Sequence, residues 1–243
     1  MKLIFLDLDK TLLGDDYSPQ PAAPILNKLK EKGFVIVFNS SKTRFEQEFY
    51  RTAWGIDDPF IVENGSGIYI PIGYFDFEIP KAEQADGLLR VKLGVEYSRI
   101  LETLRRLEKS FELKYYGNST LHEVMAFTGL PSHLAELAKR REFSETLFRF
   151  ECADVIQAIE RNGLKVTKGS RFYTVTGHVD KGIAASRLIE LFRKVGDVET
   201  YGVGDGENDI PLFEVVDYAF VVGELRHPKA VPINDVSELL RRL

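Results

Sequence analysis

Cysteine is almost missing from this chain. Cys152 stands alone among 243 residues, so no internal disulfide can form and no thiolate cluster can hold a metal. Histidine is nearly as scarce: His122, His133, His178 and His227 are scattered, and none falls in an H-E-x-x-H or comparable metal spacing. No apolar run approaches the length that spans a bilayer, and charge breaks the opening MKLIFLDLDK within a few residues, unlike a signal peptide. A basic excess is lacking as well. The 32 Lys and Arg stand against 37 Asp and Glu, a formal charge of -5 with no long basic stretch, so a nucleic-acid surface has no support. Familiar phosphate loops are absent too. Gly177 and Gly182 have the spacing of G-x-x-x-x-G-K-[ST], but Ile183 replaces the lysine; GVGDGE at 202–207 lacks the last glycine of a dinucleotide fingerprint. The expectation from these absences is a cytoplasmic protein with no nucleic-acid and no membrane partner. They say nothing of oligomeric state.

What is present describes a globular α/β protein. With 44% hydrophobic and 28% charged residues, the chain can bury one large core or two moderate ones. Residues 2–8 read as a buried strand, and Ala22, Ile25, Leu26 and Leu29 mark a helix face that Gly33 ends. A strand at 34–38, a helix at 44–52 and a strand at 60–62 continue the alternation, which implies a parallel sheet with crossover helices. After Gly67 the rhythm breaks, and 76–86 reads as irregular. It resumes with a helix at 181–194, strands at 200–203 and 219–222 and a closing helix at 236–243. The expected division is a core of 1–82 and 177–243 interrupted by an inserted α/β unit, 83–176.

Two acidic clusters, Asp7/Asp9 and Asp205/Asp209, each follow an expected parallel strand. Ligands bind at that edge of open parallel sheets. Either cluster alone would be an ordinary loop with helix caps. Together they bring several carboxylates to one spot, where they need a cation to stay ionised, and hard oxygen ligands without histidine suit Mg²⁺. Ser40 ends the second strand on the same edge, where its hydroxyl can hold a phosphate oxygen. Lys181 opens a helix directly after Asp180 and can aim an ammonium at the carboxylates.

In this order, Asp7-Leu8-Asp9-Lys10-Thr11, Ser40, Lys181 and Gly204-Asp205-Gly206-Glu207-Asn208-Asp209 resemble the four motifs of the haloacid dehalogenase-like hydrolases. The resemblance implies a Rossmann-like parallel-sheet core with an inserted α/β cap that sets substrate specificity. It implies a phosphatase in which Asp7 is the nucleophile, Asp9 the acid and base, and Ser40 and Lys181 the phosphoryl holders. Asp7, Asp9 (through its carbonyl), Asp205 and Asp209 would hold Mg²⁺. The stretches at 39–44, 63–66, 114–120 and 169–173 further resemble the mannosylglycerate branch, whose substrate is a small phosphorylated sugar-glycerate. Lys10, where glycine is usual, and Ser41-Lys42, where Gly-Arg is usual, resemble the same branch.

A substrate with a carboxylate beside its phosphate calls for extra cations, and Lys42, Arg44 and Arg171 are the candidates. Thr43, Asn64 and Ser170 are their polar partners, and Glu142, Ser144 and Glu145 are candidates for the sugar hydroxyls. The alternatives are a sucrose- or hexose-phosphate phosphatase, a phosphomannomutase, or a phospho-acceptor module without turnover.

Overall fold

In the first strand, β1 (Lys2–Leu6), residues 3 to 6 are fully buried, which requires cover on both faces of its sheet. Ile4 and Leu6 point into one core and Leu3 and Phe5 into another, as the two-residue period of a strand demands. The computed structural model describes residues 1–169 and 171–242.

The next elements are α1 (Ala23–Glu31), β2 (Phe34–Phe38), α2 (Arg44–Trp54), β3 (Phe60–Val62), β4 (Gly67–Pro71), β5 (Ala82–Ala85) and β6 (Leu88–Lys92). They lead into α3 (Tyr97–Leu107), β7 (Leu113–Tyr115), α4 (Leu121–Thr128), α5 (Ser132–Ala138), β8 (Glu145–Phe150), α6 (Ala153–Arg161), β9 (Lys165–Lys168) and β10 (Tyr173–Thr176). The chain closes with α7 (Lys181–Arg193), β11 (Glu199–Gly204), α8 (Ile210–Val215), β12 (Tyr218–Val222), β13 (Ala230–Ile233) and α9 (Val236–Leu239).

Five strands form the expected parallel sheet in the order β13-β12-β11-β1-β2. This places β1 and β11 side by side, so the loops carrying Asp7 and Asp205 leave the same edge as neighbours. One core joins Ile4 and Leu6 to Leu26 and Leu29 of α1 and Tyr50 and Trp54 of α2. The other joins Leu3 and Phe5 to Ala184, Leu188 and Phe192 of α7. Burying each such Leu or Phe contributes roughly 1.5–3 kcal/mol.

Beyond β2, a single parallel bridge between Asn39 and Ile61 continues the sheet, after which β3 turns into a separate antiparallel sheet, β3-β4-β6-β5. Here the structure departs from the sequence reading. Residues 82–85 are a strand rather than irregular, and the expected boundary after residue 82 falls inside it. The strand at 88–92, expected within the insertion, pairs with β4 of the first segment. β13 was not expected, and the last helix ends at Leu239.

A second four-stranded sheet, β7-β8-β10-β9, carries α3 and α6 on one face, packed through Ile100, Leu104, Val155 and Ile159. Its strands alternate. Leu147 and Val175 join that packing, whereas Thr146 and Thr174 face a cavity over the parallel sheet's edge. Among the described residues, no helix is long and apolar enough to cross a membrane.

Candidate active site

The cavity lies where β1 and β11 end, between that edge and the open face of the second sheet, and has a volume of about 130 Å³. Asp7 and Asp205 line its floor, and Asp7 is almost fully buried. Behind them sits the Lys181 ammonium, with no exposed surface. Its Nζ donates to Asp7 Oδ1 at 2.7 Å and to Asp209 Oδ1 at 2.5 Å. Asp180 caps α7 by accepting from the Ile183 N–H at 2.9 Å, which fixes the helix start and hence where Lys181 points. Asp209 is held from its other oxygen by the Asp205 and Gly206 N–H groups, both at 3.0 Å. It approaches Gly204 so closely that a Cβ there would lie 2.2 Å from its carboxyl carbon.

Two carboxylates thus share one ammonium, with Asp205 as a third close by. Burial pushes the Asp7 carboxyl well above the usual range; Lys181 pulls it down, and Asp209, Asp205 and Asp9 push it further up. Burial and then Asp209 raise Asp205 to about 6, against the pull of Lys181 and Lys10. For Lys181, burial opposes the charge, but Asp209 and Asp7 outweigh it and hold the ammonium above its ordinary value. The excess negative charge is what a hard divalent cation would neutralise. Asp7, Asp205 and Asp209 each offer an oxygen, all within 4.8 Å of one another, a donor set that fits Mg²⁺.

Asp9 stands a little apart. Lys42, also buried, pairs with Asp9 Oδ1 at 2.8 Å and with Glu46 at 3.4 Å, and lies over the Tyr17 ring. Its burial opposes the charge, yet Asp9 and Glu46 raise the ammonium well above its ordinary value. Ser40 is fully buried, and it is Ser41 that lines the cavity. Lys10 adopts the left-handed conformation, φ 59°, which glycine reaches without strain, and lines the cavity beside Asp205.

Of the remaining expected residues, Asn64 and Arg171 line the cavity. Arg171 donates to the Thr128 and Phe127 carbonyls at 2.7 and 3.0 Å. Thr43 does not reach it: its hydroxyl caps α2 and donates to the Leu137 carbonyl. Arg44 points away and pairs with Asp86 at 2.6 Å, and with Glu48 and Glu142 at 3.6 Å. Glu142 also accepts from Tyr69, outside the cavity lining. Ser144 and Glu145 are fully buried and already paired, Ser144 with Glu63 and Glu145 with Tyr97 and the backbone of 116, 117 and 146. None of these five is placed to touch a ligand in the cavity. Ser170 lies outside the described residues.

The sequence reading missed Arg141, and it quoted Tyr116 and Asn208 within the 114–120 and 204–209 stretches without a site role; all three line the cavity. Glu63, quoted within 63–66, was likewise given no role, and it is fully buried 4.0 Å from Arg141. Nothing in the spacing of the adjacent Arg140 and Arg141 shows that one stacks on Phe45 while the other faces inward.

The resemblance read from the motifs now has independent support. The chain belongs to the haloacid dehalogenase-like hydrolase family, whose sequence profile matches residues 4–81 and 134–228. Over 243 residues, the full length of both proteins, it is 52% identical to the mannosyl-3-phosphoglycerate phosphatase of Pyrococcus furiosus. A glucosyl-3-phosphoglycerate/mannosyl-3-phosphoglycerate phosphatase of Persephonella marina is 38% identical over 230 residues, 90% of this chain and 84% of the relative. The fold matches that of a haloacid dehalogenase-like hydrolase from B. subtilis, with a TM-score of 0.69 at 18% identity and complete coverage of both chains.

Proposed function

We propose that this chain is a Mg²⁺-dependent phosphatase that hydrolyses mannosyl-3-phosphoglycerate to mannosylglycerate and phosphate in the cytoplasm. The observation that carries the reaction is Asp7, held by Lys181 at a cluster of three carboxylates on the lining of the cavity. The substrate rests on the relative that is 52% identical over the full length.

Asp7 attacks phosphorus, and the bond to the glycerate oxygen breaks as an aspartyl-phosphate forms. Lys181 orients the attacking carboxylate and offers positive charge to the phosphoryl oxygens. Asp9 gives a proton to the leaving oxygen and then takes one from the water that cleaves the aspartyl-phosphate. Its pairing with Lys42 through Oδ1 fixes the carboxyl and leaves the other oxygen for this transfer. Asp7, the Asp9 carbonyl, Asp205 and Asp209 would hold Mg²⁺, which when bound supplies positive charge against the carboxylate–phosphate repulsion. Ser40 is assigned to the phosphoryl group from its place two residues past the end of β2, directly before Ser41.

We assign specificity to the inserted unit, with the parallel sheet and its helices as the catalytic core, broadly the expected 1–82 and 177–243 around 83–176. The pairing of β6 with β4 and of β5 with β6 supports a first crossing near residue 93 instead of 82. A cavity of about 130 Å³ is smaller than the roughly 300–1,000 Å³ of a typical ligand site, which supports a unit that lifts for entry and closes for chemistry.

A phosphate-release assay tests this reading. Mannosyl-3-phosphoglycerate should be turned over with Mg²⁺ and not with chelator, and faster than sucrose phosphate or a hexose phosphate. Glucosyl-3-phosphoglycerate belongs in the same panel, because the Persephonella marina relative is named for both. No release from any phosphoester would overturn the proposal.

A further inference from the structure

Arg141 is the buried cation of the cavity that no expectation included. The residue is 7% exposed and lines the cavity, and its guanidinium lies 5.1 Å from the centre of the Tyr116 ring. Nε donates to Ser144 Oγ at 3.1 Å, Nη2 to the Ser41 carbonyl at 2.9 Å, and Nη1 to the Ala138 carbonyl at 3.5 Å. One N–H on each terminal nitrogen is left over, since a guanidinium has five.

The other expected cations differ from it. Lys42 is paired with Asp9 and Glu46, and Arg44 faces away toward three carboxylates. Arg171 also keeps one N–H on each terminal nitrogen after donating to two backbone carbonyls, but it is exposed, and a charged contact is stronger at the buried Arg141.

Glu63 explains why Arg141 stands where it does. It is fully buried in the turn after β3 and adopts the left-handed conformation, φ 50°, which is costly for a residue with a side chain. Its carboxylate accepts from the Glu142 N–H at 2.9 Å, the Phe143 N–H at 3.0 Å and Ser144 Oγ at 2.6 Å. Arg141 Nε lies 4.0 Å from it. One side chain near the catalytic edge thus clamps the segment that begins at Arg141, some eighty residues away. Arg141 in turn reaches back to Ser41, next to the residue assigned to the phosphoryl group.

We propose that Arg141 binds the carboxylate of the glycerate group through its two remaining N–H donors, and that Glu63 is the positioning residue that holds it there. This rests on the reading of the chain as a phosphatase of a phosphorylated sugar-glycerate. The phosphoryl group belongs at Asp7 and Lys181, and the carboxylate lies only a few bonds from it. Two unspent N–H donors on a cavity-lining guanidinium beside Ser41 match that second anion in charge and in the number of contacts it accepts.

The test compares mannosyl-3-phosphoglycerate with p-nitrophenyl phosphate, which has no carboxylate, for the wild type and for R141Q, R141K and E63Q. Loss of a bidentate charged contact should lower kcat/KM of R141Q on the sugar-glycerate by roughly 30- to 100-fold. The loss on p-nitrophenyl phosphate should be at least tenfold smaller. R141K keeps the charge but not the fork and should restore no more than a small part. E63Q should shift the same substrate preference, mainly by raising KM, with a thermal melt showing that it is folded.

Equal losses on both substrates in R141Q would overturn the carboxylate assignment, and full rescue by R141K would overturn the fork. A preference unchanged in folded E63Q would overturn the positioning role. A wild type inactive on the sugar-glycerate but active on p-nitrophenyl phosphate would instead reject the substrate reading itself.

Discussion

At the scale of single residues, Asp7 shows how a reactive group is kept. A buried carboxylate among other carboxylates is disfavoured, and Lys181 compensates only part of that. Asp7→Asn keeps the shape and an acceptor for Lys181 while removing the nucleophile and one repelling charge. Phosphate release should fall at least about 10³-fold. The melting temperature of the metal-free protein should not fall. Substantial remaining turnover would sink the covalent scheme. The Asp7/Asp9 and Asp205/Asp209 clusters were legible in sequence because their residue types and strand-end positions carry the chemistry themselves. Thr43 and Arg44 misled for a physical reason: α2 begins there, so one hydroxyl is spent on the cap and the next side chain swings off the cavity. Lys10 was a family mark in the sequence, and its φ of 59° now gives the reason glycine is usual at that position.

At the scale of elements, the site depends on how tightly α7 seats against α8. A Cβ at Gly182 would lie 2.2 Å from the Pro211 carbonyl oxygen, so this glycine is a packing requirement one residue from Lys181. In the sequence it drew notice only as part of a failed phosphate loop. Gly182→Ala must push the two helices apart, and overpacking of this kind costs about 1–3 kcal/mol. Denaturant unfolding should show that loss, with kcat reduced because Lys181 moves with the helix. A variant of unchanged stability would mean the helices separate freely. The strands of the parallel sheet were readable from their apolar runs, but β5 and β13 were not. Among the described residues, β5 is the polar stretch AEQA with only β6 as a hydrogen-bonded neighbour, and β13 contains Pro232 with only β12 beside it. Edge strands tolerate such residues because one side needs no partner, so their identity comes from the neighbour and not from their own pattern.

For the whole molecule, charge in the cavity links folding, protons and metal. Asp205 rises to about 6 in the folded, metal-free protein, so between its unfolded value near 4 and that point the native state holds a proton the unfolded chain lacks. Stability from this group is therefore present at low pH and lost as pH rises through about 6, whereas Mg²⁺ binds the proton-free carboxylates. The rise in melting temperature given by saturating Mg²⁺ over chelator should be small near about pH 5 and grow to a plateau by about pH 7. Taking the difference at each pH removes titrations that the two states share. Calorimetry in two buffers of different ionisation heat should show protons released on Mg²⁺ binding near about pH 5.5 and far fewer near about pH 7.5. A Mg²⁺ stabilisation that does not change across this range would show that the carboxylate cluster is not where the ion binds.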